Sequence, residues 1–260
     1  MKSSLQDPLF RNRLNQLSPA SDRLWFSALT VGIVFTLVAA YFFPVETSPS
    51  GKFWAYAGLF IRTSLYLSAR DTLKGRGGEL LYRLFLLGLV AGTFELLVDW
   101  GLIHWVAKGK LIYTTGNDVV LLGSPIWMPL AWACVIVELG YPAFRLFGIF
   151  SRKLSEKMAA LLASLIIGIA SGFTVGFYEY FAYRAGLWKY EPAHAMIGNF
   201  CALYIPLGEF FMFLFILPIA ARAVREEESP LSVSLRSGAF FSLAIAGGYA
   251  LAYFLLELGR

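Results

Sequence analysis

Four carboxylates set within apolar segments, Glu95, Asp99, Glu179 and Glu209, are the residues of this chain best suited to chemistry. Glu95 and Asp99 stand four positions apart, which places them on one helix face. Two acids so close repel one another when both are ionised, so the pair favours keeping one of them neutral. The other reading sets Asp99 at an interface beside Trp100 and lets Glu95 answer Arg62. Glu179 lies among Tyr178, Tyr180 and Tyr183, and Glu209 follows Pro206 and precedes two phenylalanines. A neutral carboxylic acid can donate a proton to an alkene or epoxide. Aromatic faces can then stabilise the cation, and a carboxylate can remove the last proton. Residues expected to line such a pocket are Trp127, Trp132, Trp188, Tyr190, Tyr204 and Asn199.

Other chemistries find little footing. The two histidines are spaced neither with each other nor with cysteine, so no zinc site is expected. An aspartate-rich diphosphate motif, a GxSxG elbow and a dinucleotide fingerprint are all missing, and no cofactor is expected. His194, in a loop, reads as a solvated surface residue. Cys134 and Cys201 read as small buried residues. Trp127 fits an ordinary interfacial aromatic belt as well as a pocket. Arg62 and Glu138 stay open: each is either a member of a buried ion pair or a functional group, Arg62 then holding an anionic group of a ligand.

The elements that must position these residues are helices in lipid. The chain is 58% hydrophobic and 15% charged over 260 residues, with a mean hydropathy of +0.63. A soluble domain has no use for so much apolar surface. Seven stretches are long enough to cross the hydrocarbon layer, near 24–43, 53–69, 80–107, 125–147, 158–183, 200–221 and 231–256. Their lack of alternating polarity predicts helices and excludes a barrel. The expected organisation is a polar tail over 1–23 and a single seven-helix domain over 24–257.

Fifteen lysines and arginines fall on the side of the N-terminal tail and six on the other, which predicts a cytoplasmic N-terminus and an outer C-terminus. The net charge of +5 follows from that bias and calls for no nucleic-acid partner. A plasma membrane of bacterial type is the expected location. The seventh segment lacks lysine, which argues against a retinal Schiff base. Gly168, Gly172 and Gly176 give the fifth segment a smooth packing face.

An internal echo runs through the chain. Tyr113, Pro129 and Trp132 lie 77 positions before Tyr190, Pro206 and Glu209. Each copy, near 80–147 and 158–221, reads as a helix bearing a carboxylate, a wet loop with a tyrosine, and a helix entered through proline. Glu95 precedes Tyr113 by 18 and Glu179 precedes Tyr190 by 11, a difference of about two turns. The first loop also holds Asn117 and Asp118. It leads into Ser124 and Pro125, where the serine is expected to cap the fourth helix and Pro129 to kink it.

The stretch GLWKYEPAHAMIG and the following YIPLGEFFMF resemble the membrane-embedded lycopene cyclases of the heterodimeric bacterial and fused fungal type. More loosely they are similar to the small membrane-bound terpene cyclases of meroterpenoid pathways. The matching positions are Trp188, Tyr190, Pro206, Leu207, Glu209, Phe210 and Phe211. The resemblance covers roughly 25 residues well and implies cyclisation of a polyprenyl or carotenoid chain, with Glu209 as a candidate acid. Those cyclases carry two adjacent acids after the proline, where this chain has Gly208 and Glu209, and Trp132 stands where the first copy would have an acid. The expected partners are therefore membrane lipids and a hydrophobic isoprenoid substrate. A non-catalytic isoprenoid-binding protein or a small proton-coupled carrier is the competing class.

Overall fold

The computed structural model describes residues 14–15, 17–43, 50–75, 77–114, 118–224 and 229–258. Most of the expected tail, Arg76, Asn117 and the acidic run 226–228 lie outside them. The described chain is built on helices: α1 (Pro19–Tyr41), α2 (Ser50–Leu73), α3 (Gly78–His104), α4 (Met128–Phe150), α5 (Glu156–Ala185), α6 (Tyr204–Phe213), α7 (Ile216–Ala223) and α8 (Pro230–Tyr253), closed by a π-turn over Phe254–Leu258. Five of the described helices are long and apolar enough to cross a membrane, and six if α6 and α7 form one bent span. This is the helix content of an integral membrane protein. α2 reaches about 36 Å at 1.5 Å per residue, but Lys52, Arg62, Arg70 and Asp71 make it the least apolar of the long helices.

The expected sixth helix is broken. α6 and α7 meet at a 52° bend. Pro218 has no N–H to offer the Leu214 carbonyl four residues back, and its ring crowds that carbonyl. Pro129 does not kink α4; it stands in the first helical turn, where a missing N–H costs nothing, and the proline inside that helix is Pro142. α4 begins at Met128, three residues later than the sequence suggests, because Ser124 and Pro125 belong to a strand.

The loops are more regular than expected. β1 (Leu111–Tyr113) pairs antiparallel with β4 (Trp188–Tyr190), with Leu111 opposite Tyr190 and Tyr113 opposite Trp188. Two hairpins flank this ladder, β2 (Val120–Leu121) with β3 (Ser124–Pro125), and β5 (Met196–Ile197) with β6 (Cys201–Ala202). The two-residue turn of the first hairpin has positive φ at Leu122 (55°) and Gly123 (87°), the backbone of a type I′ turn.

Helices approach closely through glycine. A Cβ on Gly92 would come within 2.8 Å of Pro129 Cα, and one on Gly88 within 2.7 Å of Ala133 Cα, so α3 lies directly against α4. Gly172 faces the Pro206 carbonyl at 3.0 Å and Gly168 that of Phe210 at 3.0 Å, which seats α5 on α6 in the same manner. Gly176, expected on the same packing face, has no neighbour this near.

Candidate functional site

A cavity of about 180 Å³ opens between these helices. α3 supplies Glu95 and Asp99, α5 supplies Tyr178 and Glu179, and α6 supplies Glu209. The four carboxylates expected to meet do meet on its wall, and all four are buried. Trp127, Trp132, Trp188 and Tyr190 line it as well. Two expected lining residues do not. The Tyr204 side chain turns to the Gly109 carbonyl at 2.7 Å, because the loop ahead of β1 folds over the start of α6. Asn199 is exposed and donates its Nδ2 to the Tyr183 hydroxyl at 3.1 Å, held there by the β5–β6 turn.

The acids are held in distinct ways. Asp99 accepts from the Tyr113 hydroxyl and, at 2.7 Å, from Ser124 Oγ. Ser124 thus serves a carboxylate from strand β3 instead of capping α4. Burial pushes the Tyr113 phenol well above its ordinary pKa, with Asp99 adding to the effect, so it is kept as a donor. Glu179 Oε2 accepts from Trp188 Nε1 at 2.7 Å. Tyr113 and Trp188 are cross-strand partners, so one ladder rung supplies a donor to an acid of α3 and to an acid of α5. Glu209 Oε1 accepts from Tyr249 at 2.7 Å, while its Oε2 is buried with no partner among the described residues. Glu95 Oε2 is likewise buried and unpartnered. Both of these acids line the cavity, whereas Asp99, with two donors, is the most fully engaged of the four.

Asp99 is packed into the protein, with only 3% of the residue exposed. Glu95 does not answer Arg62. The partner of Arg62 is Glu138, with Nη1 to Oε1 at 2.7 Å, and the Tyr178 hydroxyl donates to the other carboxylate oxygen at 2.7 Å. Glu138 is thus one half of an ion pair. Sequence reasoning missed Tyr249 and Tyr178 as site residues. Tyr249 sits on a helix that reads as Ala, Gly and Phe, and only a tyrosine at cavity depth marks it. His194 is on the surface as expected, where Lys108 Nζ lies 2.7 Å from its Nε2.

Gly208 has a structural reason. A Cβ there would lie 2.3 Å from Tyr249 Cδ1, so an acid at this position would evict the ring that serves Glu209. The space of a second acid is taken by a phenol.

Taken together, the fold and cavity define an all-α protein with membrane-length helices around a carboxylate- and aromatic-lined chamber. The chain belongs to the family described as a domain of unknown function (DUF6989), whose model matches residues 96–256. That stretch takes in Asp99, Glu179, Glu209 and Tyr249. No curated protein and no solved structure matches the chain.

Proposed function

We propose that this protein is a membrane-bound cyclase or isomerase acting on an isoprenoid or carotenoid chain. The observation that carries the reading is the single cavity joining Glu95, Asp99, Glu179 and Glu209 with Trp127, Trp132, Trp188 and Tyr190. The buried oxygens of Glu95 and Glu209 lack partners, so a protonated carboxyl there can aim its hydrogen at a double bond. Asp99, already accepting from Tyr113 and Ser124, is suited to remain a carboxylate facing the developing cation. The indole and phenol faces stabilise positive charge along the chain. In this reading Glu209 and Glu95 exchange the protons, with Glu179 and Asp99 stabilising charge.

The proposed topology counts α2 and the bent α6–α7 pair as spans, seven in all, with the N-terminus cytoplasmic, the C-terminus outside and the cavity in the outer half of a bacterial plasma membrane. The arrangement includes an internal repeat, which two spacings support. Strands β1 and β4 are 77 positions apart, and the packing glycines 88 and 92 precede 168 and 172 by 80. The offset of 80 sets Asp99, and not Glu95, opposite Glu179. A carrier would need acids reached from both faces, and the clustering of all four in one chamber favours the one-sided pocket of an enzyme.

The test is lipid extraction and mass spectrometry of cells making the protein together with linear carotenoid and prenyl precursors, beside Glu209→Gln. A product of unchanged mass and altered retention, lost in the variant, supports cyclisation. An unchanged precursor pool from folded protein overturns it.

A further inference from the structure

One wall of the cavity is unlike the rest. α2 brings Arg62 into it, and Arg62 is the only lysine or arginine among the described lining residues. The guanidinium is built in. A Cβ on Gly32 of α1 would come within 2.8 Å of both Arg62 Cδ and Nη1, so α1 leaves room for it by having no side chain there. Glu138 neutralises the charge, but both of its oxygens are already engaged, one by Arg62 Nη1 and the other by Tyr178. Arg62 Nε is buried and has no acceptor among the described residues. A buried N–H beside a cavity, which its counter-ion does not reach, calls for an acceptor from elsewhere.

Charge decides which acceptor. The Arg62–Glu138 pair is neutral as a unit, and Asp99 and Glu179, the two charge-stabilising acids, line the same chamber with no second cation among the described lining residues. A phosphate or diphosphate would meet more negative charge than positive. A neutral oxygen meets a donor and no opposing field.

Resting on the isoprenoid reading for the apolar chain, we infer that Arg62 holds a carbonyl or hydroxyl oxygen of the ligand, so that the substrate is an oxygenated isoprenoid and not a plain hydrocarbon. The acids on α3, α5 and α6 then work on the apolar part, and the oxygen fixes which double bond they reach. Arg62 is a specificity residue in this assignment.

Detergent-solubilised full-length protein is titrated with a linear polyprenyl methyl ketone and with the hydrocarbon of the same chain length, following tryptophan emission from Trp127, Trp132 and Trp188. The ketone should bind roughly tenfold tighter or more, as a hydrogen bond to a charged donor provides. In the double variant Arg62→Met with Glu138→Leu, which removes both charges, the two probes should bind alike. A second measurement needs no variant: isotope-edited infrared spectra of the bound ketone should show the carbonyl stretch at lower frequency than in hydrocarbon solvent. Equal binding of both probes to the native protein, or a preference that survives in the double variant, overturns the assignment and leaves the cyclase reading standing. Failure of both probes to bind overturns the two together. A preference for ketone with no turnover of any precursor upholds the Arg62 site and removes the enzyme.

Discussion

Tyr249 on α8 donates its hydroxyl to Glu209 on α6 at 2.7 Å, and the same ring fills the space that any side chain at position 208 would need. The glycine, the acid and the phenol are therefore one unit. The helices meet closely enough for it because Gly248 lies under the Gly208 carbonyl, at 2.7 Å from where its Cβ would be.

Tyr249→Phe keeps the ring and removes the donor. We expect a loss of about 1–3 kcal/mol in stability, since a buried carboxyl loses a partner. Product formation should fall by roughly tenfold or more, with Glu209 no longer oriented. Binding of a hydrocarbon probe, followed by tryptophan emission, should be unchanged. A variant that loses binding and rate in step would show that the phenol only props the cavity open.

Gly208→Ala adds a methyl 2.3 Å from Tyr249 Cδ1. Overpacking of this kind costs about 1–3 kcal/mol. Thermal unfolding in detergent should show a lower Tm, and the variant should mimic Tyr249→Phe in rate because the displaced ring no longer reaches Glu209. Combining Gly208→Ala with Tyr249→Ala should cost clearly less than the sum of the two single losses, because the added methyl then occupies space that the ring has left. An additive double variant would mean that the two positions do not touch.

The Arg62–Glu138 pair gives an asymmetric prediction. Removing one partner leaves a buried charge, so Arg62→Met alone should destabilise the protein by about 3–5 kcal/mol. The double change Arg62→Met with Glu138→Leu should lie much closer to the native protein, as buried pairs replaced by apolar side chains commonly do. A double-mutant cycle on thermal or denaturant unfolding reads this directly. A double variant as unstable as the worse single would show that the pair is held for more than its mutual attraction.

The β2–β3 hairpin presents Val119, Val120, Leu121 and Leu122 to the outside. With Gly123 packed toward Ile103 at the end of α3 and the exposed Trp105 beyond it, this tip continues the apolar surface of the helices. A polarity-sensitive dye on Leu121→Cys, in vesicles, should emit as in a lipid environment and be quenched by lipids brominated near the headgroup. Both native cysteines are buried, which makes the label selective. Emission typical of water would place the hairpin clear of the bilayer.

Much of this fold is written in the amphipathic bookkeeping of the chain. Long apolar runs give membrane-length helices because nothing else satisfies the backbone in lipid, and Glu95, Asp99, Glu179 and Glu209 stand out because acids in such runs need a reason. What could not be read is where side chains turn after two helices meet. Tyr204 and Asn199 have the right type and wrong direction, each claimed by a nearer partner. Tyr249 has the right direction and no local signal, since its role depends on a glycine 41 positions away. The bend at Leu214 was readable in principle from Pro218, whereas the pairing of Arg62 with Glu138 depends on which of several buried acids the packing brings near.

The β1–β4 ladder also sets a timetable for biogenesis. Residues 111–113 emerge from the ribosome well before 188–190, and α4 and α5 must both be inserted before the two strands can pair. Until then Tyr113 has no partner strand, and Glu179 has no indole. The chamber closes only once α5, its following loop, α6 and α8 have all been delivered, since Glu209 and Tyr249 also line it. A nascent chain stalled before residue 188 would hold Asp99 and Glu95 without the α5–β4 side of their chamber.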